Sequence, residues 1–155
     1  MSLILDGTNG LTFNNATTQN SGGKVLQVVN ATYSTVTTVS TTAYATTGLA
    51  ASITPLFSTS KILVIATCTT FTSGSATGLA FQISRGATAI YTSPNYNSYS
   101  SSGGGVIATN TLNWLDNPAT TSSTTYTLQF NSSGGAQTAQ YGSAPSSIIL
   151  MEIAP

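Results

Sequence analysis

Two stretches, KILVIATCTTF (residues 61–71) and SIILMEIA (residues 147–154), are apolar at odd and even positions alike. Successive strand residues point to opposite faces of a sheet, so a strand apolar on both must be covered twice. The pattern therefore predicts two central strands, with the core against one face and a second layer or a partner subunit against the other. Elsewhere the period is also two. In TGLAFQISRG, Leu79, Phe81 and Ile83 share one face while Ala80, Gln82 and Ser84 share the other, and Arg85-Gly86 supplies a turn before ATAIYTSP, which reads as a half-buried hairpin. Val106, Ala108, Leu112 and Trp114 fall in phase in GVIATNTLNWLD, as do Tyr126, Leu128 and Phe130 in TTYTLQFN, and the turn residues between them predict that these two strands are close neighbours.

Helix signals are nearly missing. Thr, Val and Ile dominate, Ser and Gly interrupt every window, and no apolar stripe of period 3.6 runs through any long segment. The reading is an all-β chain, an antiparallel β-sandwich of jelly-roll type, with about eight or nine strands near residues 24–32, 34–40, 43–53, 60–72, 78–85, 87–92, 105–116, 124–131 and 146–154. The loop TSPNYNSYSSSGGG is too rich in Gly and Ser, and too interrupted by Pro, for a strand. Residues 1–23 carry a few apolar side chains, Leu3, Ile4, Leu5, Leu11 and Phe13, too few to close a core of their own. They are read as an attachment or oligomerisation segment in front of one sandwich domain, residues 24–155.

Charge narrows the function. The 155 residues hold three acids (Asp6, Asp116, Glu152), three bases (Lys24, Lys61, Arg85) and no histidine, 4% charged, against ~25% in an ordinary domain. Three scattered bases make no phosphate-binding groove, so nucleic acid is not an expected partner. No apolar run approaches the ~20 residues of a membrane span, and residues 1–23 lack the basic start and apolar core of a secretory signal. Membrane insertion and direct export are not expected.

Catalysis lacks parts. General acid-base chemistry draws on His or on paired carboxylates, and here the acids fall in separate elements: Asp6 beside a turn, Asp116 before Asn117-Pro118 where it is expected to bond its own turn backbone, Glu152 in the last strand. One Cys and no His exclude a zinc site, and Cys68 reads as a buried, inert thiol. The expectation is a non-enzymatic protein without metal or cofactor. Binding remains. Tyr91, Tyr96 and Tyr99, with Asn95 and Asn97, combine flat apolar faces with amide and hydroxyl groups suited to sugar hydroxyls, and the same composition equally suits a loop that covers the sheet end or a neighbouring subunit.

Four stretches carry a resemblance. ILDGTNGLTFNNATTQ resembles a segment of the form DGTNGITFPDGTTQ found in tail-fibre and related virion proteins of tailed bacteriophages, with Asn14-Asn15-Ala16 here where Pro-Asp-Gly is usual. GKVLQVVNATY, LDNPATTSSTTYTLQF and SSIILMEIAP resemble the β-rich head domain that often follows it. The resemblance implies a homotrimeric head in a virion, made in the cytoplasm of a bacterial host. Its implied partners are sibling chains, other virion proteins of the tail or capsid, and a host surface glycan or protein. A capsid decoration or cement protein is the alternative that this resemblance leaves open.

Overall fold

The computed structural model describes residues 4–6, 10–12, 18–19, 24–94 and 96–155. Fourteen strands occur among them: β1 (Ile4–Asp6), β2 (Gly10–Thr12), β3 (Thr18–Gln19), β4 (Val25–Tyr33), β5 (Thr37–Val39), β6 (Ala45–Ile53), β7 (Lys61–Thr72), β8 (Thr77–Arg85), β9 (Thr88–Thr92), β10 (Ser98–Ser100), β11 (Val106–Asp116), β12 (Thr124–Ser132), β13 (Gln137–Ala139) and β14 (Ser146–Ile153). A single 3₁₀ turn, Tyr141–Ser143, precedes β14, and no α-helix occurs among the described residues.

Eleven strands build two antiparallel sheets that pack face to face, the sandwich read from the sequence. In the six-stranded sheet the long β7 pairs along one edge with β11, and along the other with β14 and then β13, which carry β4 and β5 outside them. In the five-stranded sheet β8 pairs with β12 on one side, and with β9 and β10 in succession on the other, while β6 lies beyond β12. β1, β2 and β3 pair among themselves, placing Leu5 opposite Leu11 and Ile4 opposite Thr12. Leu3 and Phe13, which share the proposed attachment role, lie outside the described residues.

Period two explains the core. Ile62, Val64, Ala66 and Cys68 of β7 and Ile148 and Leu150 of β14 face Leu49, Ile53, Phe81, Ile83, Tyr126, Leu128 and Phe130 of the opposing sheet, all buried. Each large apolar side chain so enclosed contributes roughly 1.5–3 kcal/mol by leaving water. Cys68 is fully buried, as expected, and burial pushes its thiol pKa up. At Gly48 the backbone turns to φ +87, and a Cβ there would stand 2.3 Å from the Tyr33 ring, so only glycine lets β4 close over this bend in β6.

The second apolar face predicted for residues 61–71 and 147–154 is the outer face of the six-stranded sheet. Leu63, Ile65, Ile149, Met151 and Ile153 alternate with the core residues and are half-buried. Farther along the same face a threonine band begins. Its hydroxyls bond across the β7–β11 pair, Thr67 to Thr111 at 3.0 Å and Thr69 to Thr109 at 2.9 Å.

Three expectations need correction. β11 and β12 are not neighbours: they belong to different sheets, β11 on β7 and β12 between β6 and β8. β8 is buried on both faces rather than one, except at the half-buried Gln82, because it is flanked on both edges and its other outward residues, Gly78, Ala80 and Ser84, are small. Ser98–Ser100, inside the loop thought unable to form a strand, pairs with β8, its register running from Ser98 opposite Leu79 to Ser100 opposite Thr77.

Candidate functional site

The segment between β9 and β10 leaves β8 and returns to it. Ser93 N donates to Phe81 O at 2.9 Å on the way out and Asn97 N to Leu79 O at 2.9 Å on the way back. Side chains fasten the base of this excursion: Ser93 Oγ accepts from Phe81 N at 2.9 Å, Asn97 Oδ1 accepts from Phe81 N at 3.3 Å, and Ser93 Oγ donates to Asn97 Oδ1. Asn97 is thereby fixed through its Oδ1, and its side chain stays exposed at the foot of the excursion. Asn95 lies outside the described residues.

Above that base stands Tyr96, at φ +75. A left-handed backbone is costly for a bulky residue and persists only where surrounding contacts hold it. Here its ring lies over Gly78, where an added Cβ would come within 2.2 Å of Tyr96 Cδ1 and 2.8 Å of Ser98 O. Glycine at 78 is what leaves room for an aromatic ring against the outer face of this sheet. The Tyr99 ring meets Tyr96 edge to face, centroids 4.9 Å apart, and both rings remain about half exposed, 54% for Tyr96 and 43% for Tyr99.

Tyr96 forms one wall of a cleft of about 290 Å³. Gly78 and Ala80 form its floor, and Asn131, Ser133 and Thr42 the opposite wall. That wall is fixed: Asn131 Oδ1 accepts from Ala80 N at 3.2 Å, Asn131 Nδ2 donates to Thr42 O at 3.0 Å, and Ser133 Oγ accepts from Gly78 N at 2.9 Å. Among the described residues, none that lines the cleft is charged. Chemically it offers an aromatic plane beside hydroxyl and amide groups in a neutral setting, at the small end of ligand-pocket volumes.

Of the predicted binding residues, the structure brings Tyr96 and Tyr99 together and sets Tyr91 apart. Tyr91 packs against Trp114 with centroids 5.3 Å apart, closing the seam where β9 of one sheet meets β11 of the other. Trp114 points to the core side as its phase requires, but on an edge strand it stays 40% exposed. Sequence reasoning missed Gly78, Asn131 and Ser133. An Asn-Ser-Ser end to a strand is too common in this chain to stand out, and only the pairing of β12 with β8 brings it to Tyr96.

Two of the carboxylates are tied down elsewhere. Asp116 does not bond its own turn, as expected from Asn117-Pro118; its Oδ2 accepts from Arg85 Nη1 at 2.8 Å and from the Tyr126 hydroxyl at 2.7 Å. Burial first, then the Asp116 carboxylate, push the Tyr126 pKa far up. Glu152 is held by Gln27 and by the backbone of residues 56 and 57. No group of three or more His, Cys, Asp or Glu side chains able to hold a metal occurs among the described residues.

An antiparallel sandwich with a neutral aromatic cleft on its outer face is thus the class that fold and site define. No family model matches the chain, and no curated protein matches it. Among solved structures it is similar in fold to a chain of infectious bursal disease virus, Gt strain, with 15% identity and a TM-score of 0.50 over 94% of this chain and 42% of that one. It is also similar to a chain of T=1 particles derived from infectious bursal virus, with 13% identity and a TM-score of 0.51 over 99% of this chain and 44% of that one. The chain spans less than half the length of either.

Proposed function

We propose that this chain is a non-enzymatic structural protein of a phage virion, a trimeric tail-fibre or fibre-tip protein that binds a bacterial surface glycan through the Tyr96 cleft. The observation that carries this reading is the Tyr96 ring held over Gly78 by a left-handed backbone, beside a fixed amide and hydroxyl wall. A pyranose presents a weakly apolar face to such a ring and hydroxyls to such a wall. A single contact of this kind is weak, and several copies on one tip multiply it by avidity. Support for a virion role comes from the viral sandwiches that share the fold, together with the tail-fibre resemblance of the sequence. Against catalysis stands the use of Asp116 and Glu152 as hydrogen-bond acceptors within the fold.

A second reading is favoured by one observation, the likeness to a chain of T=1 particles: a decoration or cement protein that clamps shell subunits. Imaging of whole virions separates the two, since density at the tail end supports adhesion and density at capsid lattice points sinks it. The cleft is tested separately. With Tyr96→Ala and Tyr99→Ala combined, adsorption to the host should fall at least tenfold while particles assemble normally; unchanged adsorption would remove the cleft from the proposal.

A further inference from the structure

We infer that the outer face of the six-stranded sheet is where a second copy of this chain docks, an inference that rests on the self-association included in the proposed function and assigns it a surface. The registers align the face in rows. Leu115, Leu63, Met151 and Val28 stand side by side across β11, β7, β14 and β4, and Ile65 and Ile149 follow in the next row. At the two ends of the first row, Leu115 is 50% and Val28 56% exposed, with the half-buried Leu63 and Met151 between them.

The size fits a protein contact. With strands ~4.8 Å apart and ~3.3 Å per residue, four strands over the seven residues from the Leu63 row to the Thr69 row present roughly 440 Å², of which the apolar side chains cover about 190 Å². A stable interface needs roughly 1,000 Å² in total, and weak contacts lie at or just below that. Two such faces come to about 900 Å², the size of a weak contact that multiple copies reinforce.

Charge selects the occupant. From the Leu63 row to the Thr69 row this face carries no ionisable side chain, and Lys61 lies beyond its end. Where such a face lies on the axis that relates the copies, as along the axis of a trimer, like residues come together there and a charge would oppose itself; a neutral face meets its copies without that cost. The threonine hydroxyls already bond one another across β7 and β11, so that band can be covered without stranding donors. The free hydrogen-bonding groups of the face are the amides of Asn113 and Asn30, which flank Ile65 and Ile149 in the second row, and since an amide both donates and accepts, each can pair with the same groups of a copy.

The test uses the full chain. Light scattering and sedimentation at micromolar concentration should give the wild type a mass above one chain, and Val28→Glu with Leu115→Glu should weaken association at least tenfold. Val36→Glu, at an exposed apolar residue outside the face (47%), should leave it unchanged. The milder pair Val28→Thr and Leu115→Thr, which suits a strand, should weaken association several-fold and decides the matter if the glutamates prevent folding. A multimer unaffected by the face variants overturns this surface and leaves self-association standing. A monomeric wild type overturns both.

Discussion

Asp116→Ala is expected to destabilise the protein by about 3 kcal/mol, near the lower end for breaking a buried ion pair. For a chain of this size, that corresponds to a melting temperature lower by roughly 6–12 °C. The carboxylate sits at the end of β11 in the six-stranded sheet, whereas Arg85 and Tyr126 belong to β8 and β12 of the other, so one oxygen ties the two layers together. Removing it leaves the Tyr126 hydroxyl, on a fully buried side chain, without its acceptor. Arg85 loses its partner too, but its side chain is 29% exposed and recovers some solvation, and it still donates to Asn117 O at 3.1 Å. Tyr126→Phe, which removes donor and need together, should cost only about 1 kcal/mol. The double variant should therefore be less destabilised than the sum of the two, a coupling that urea unfolding of all four proteins measures. If Asp116→Ala unfolds within 0.5 kcal/mol of wild type, on the order of a neutral surface change, the cross-sheet tie is not structural.

That tie also marks where the sequence stops being informative. Period-two patterning locates strands and their buried faces because it depends only on neighbouring residues: β7, β12 and β14 follow it residue by residue. Which strands pair is not a local property. Leu112 and Trp114 are in phase with one another, as Tyr126 and Phe130 are, but nothing in their spacing says that the chain crosses from one sheet to the other between residues 116 and 124. Asp116 was misread for the same reason, since a carboxylate before Asn-Pro looks like a turn residue until the crossing brings Arg85 and Tyr126 to it. β10 and β13, three residues each, fall below what alternation can reveal. Each is held by a longer strand, β8 or β7, that serves as its template.

The site was half legible. Tyrosines in a Gly/Ser/Asn loop identify a surface with aromatic groups, but loop composition does not say which rings converge. Tyr96 and Tyr99 meet because residues 93 and 97 are pinned to β8 and because Gly78 leaves room for a ring. Tyr91, one strand earlier, is captured by Trp114. The outer apolar face was more legible than the cleft, because a doubly apolar strand is a property of the strand itself.

Glu152 offers the other large effect, and it depends on pH. Its carboxylate is closed off from solvent at the end of β14, where Oε2 accepts from Gln27 Nε2 at 2.6 Å and Oε1 from the backbone N–H of Leu56 at 2.8 Å and of Phe57 at 3.4 Å. Burial pushes the pKa up, but these donors outweigh it and hold the group below its ordinary value near 4.5. Because the folded pKa is the lower one, the stabilisation is complete at neutral pH. It begins to fall as the unfolded chain takes up a proton near pH 4.5, and is lost once the pH passes below the folded value. Glu152→Gln should remove this acid-limb loss and lower stability at pH 7 by about 2 kcal/mol, the scale of a hydrogen bond to a charged group. The new amide would set its NH₂ against that of Gln27, which cannot turn over without facing its own oxygen to Thr54 O, 2.7 Å away. The loop it releases carries Leu56 and Phe57, 60% and 52% exposed, so amide exchange at residues 56 and 57 should quicken before the sandwich unfolds. Thermal melts of both proteins from pH 3 to pH 7 check the slope: parallel curves would mean that the carboxylate at 152 does not set acid stability.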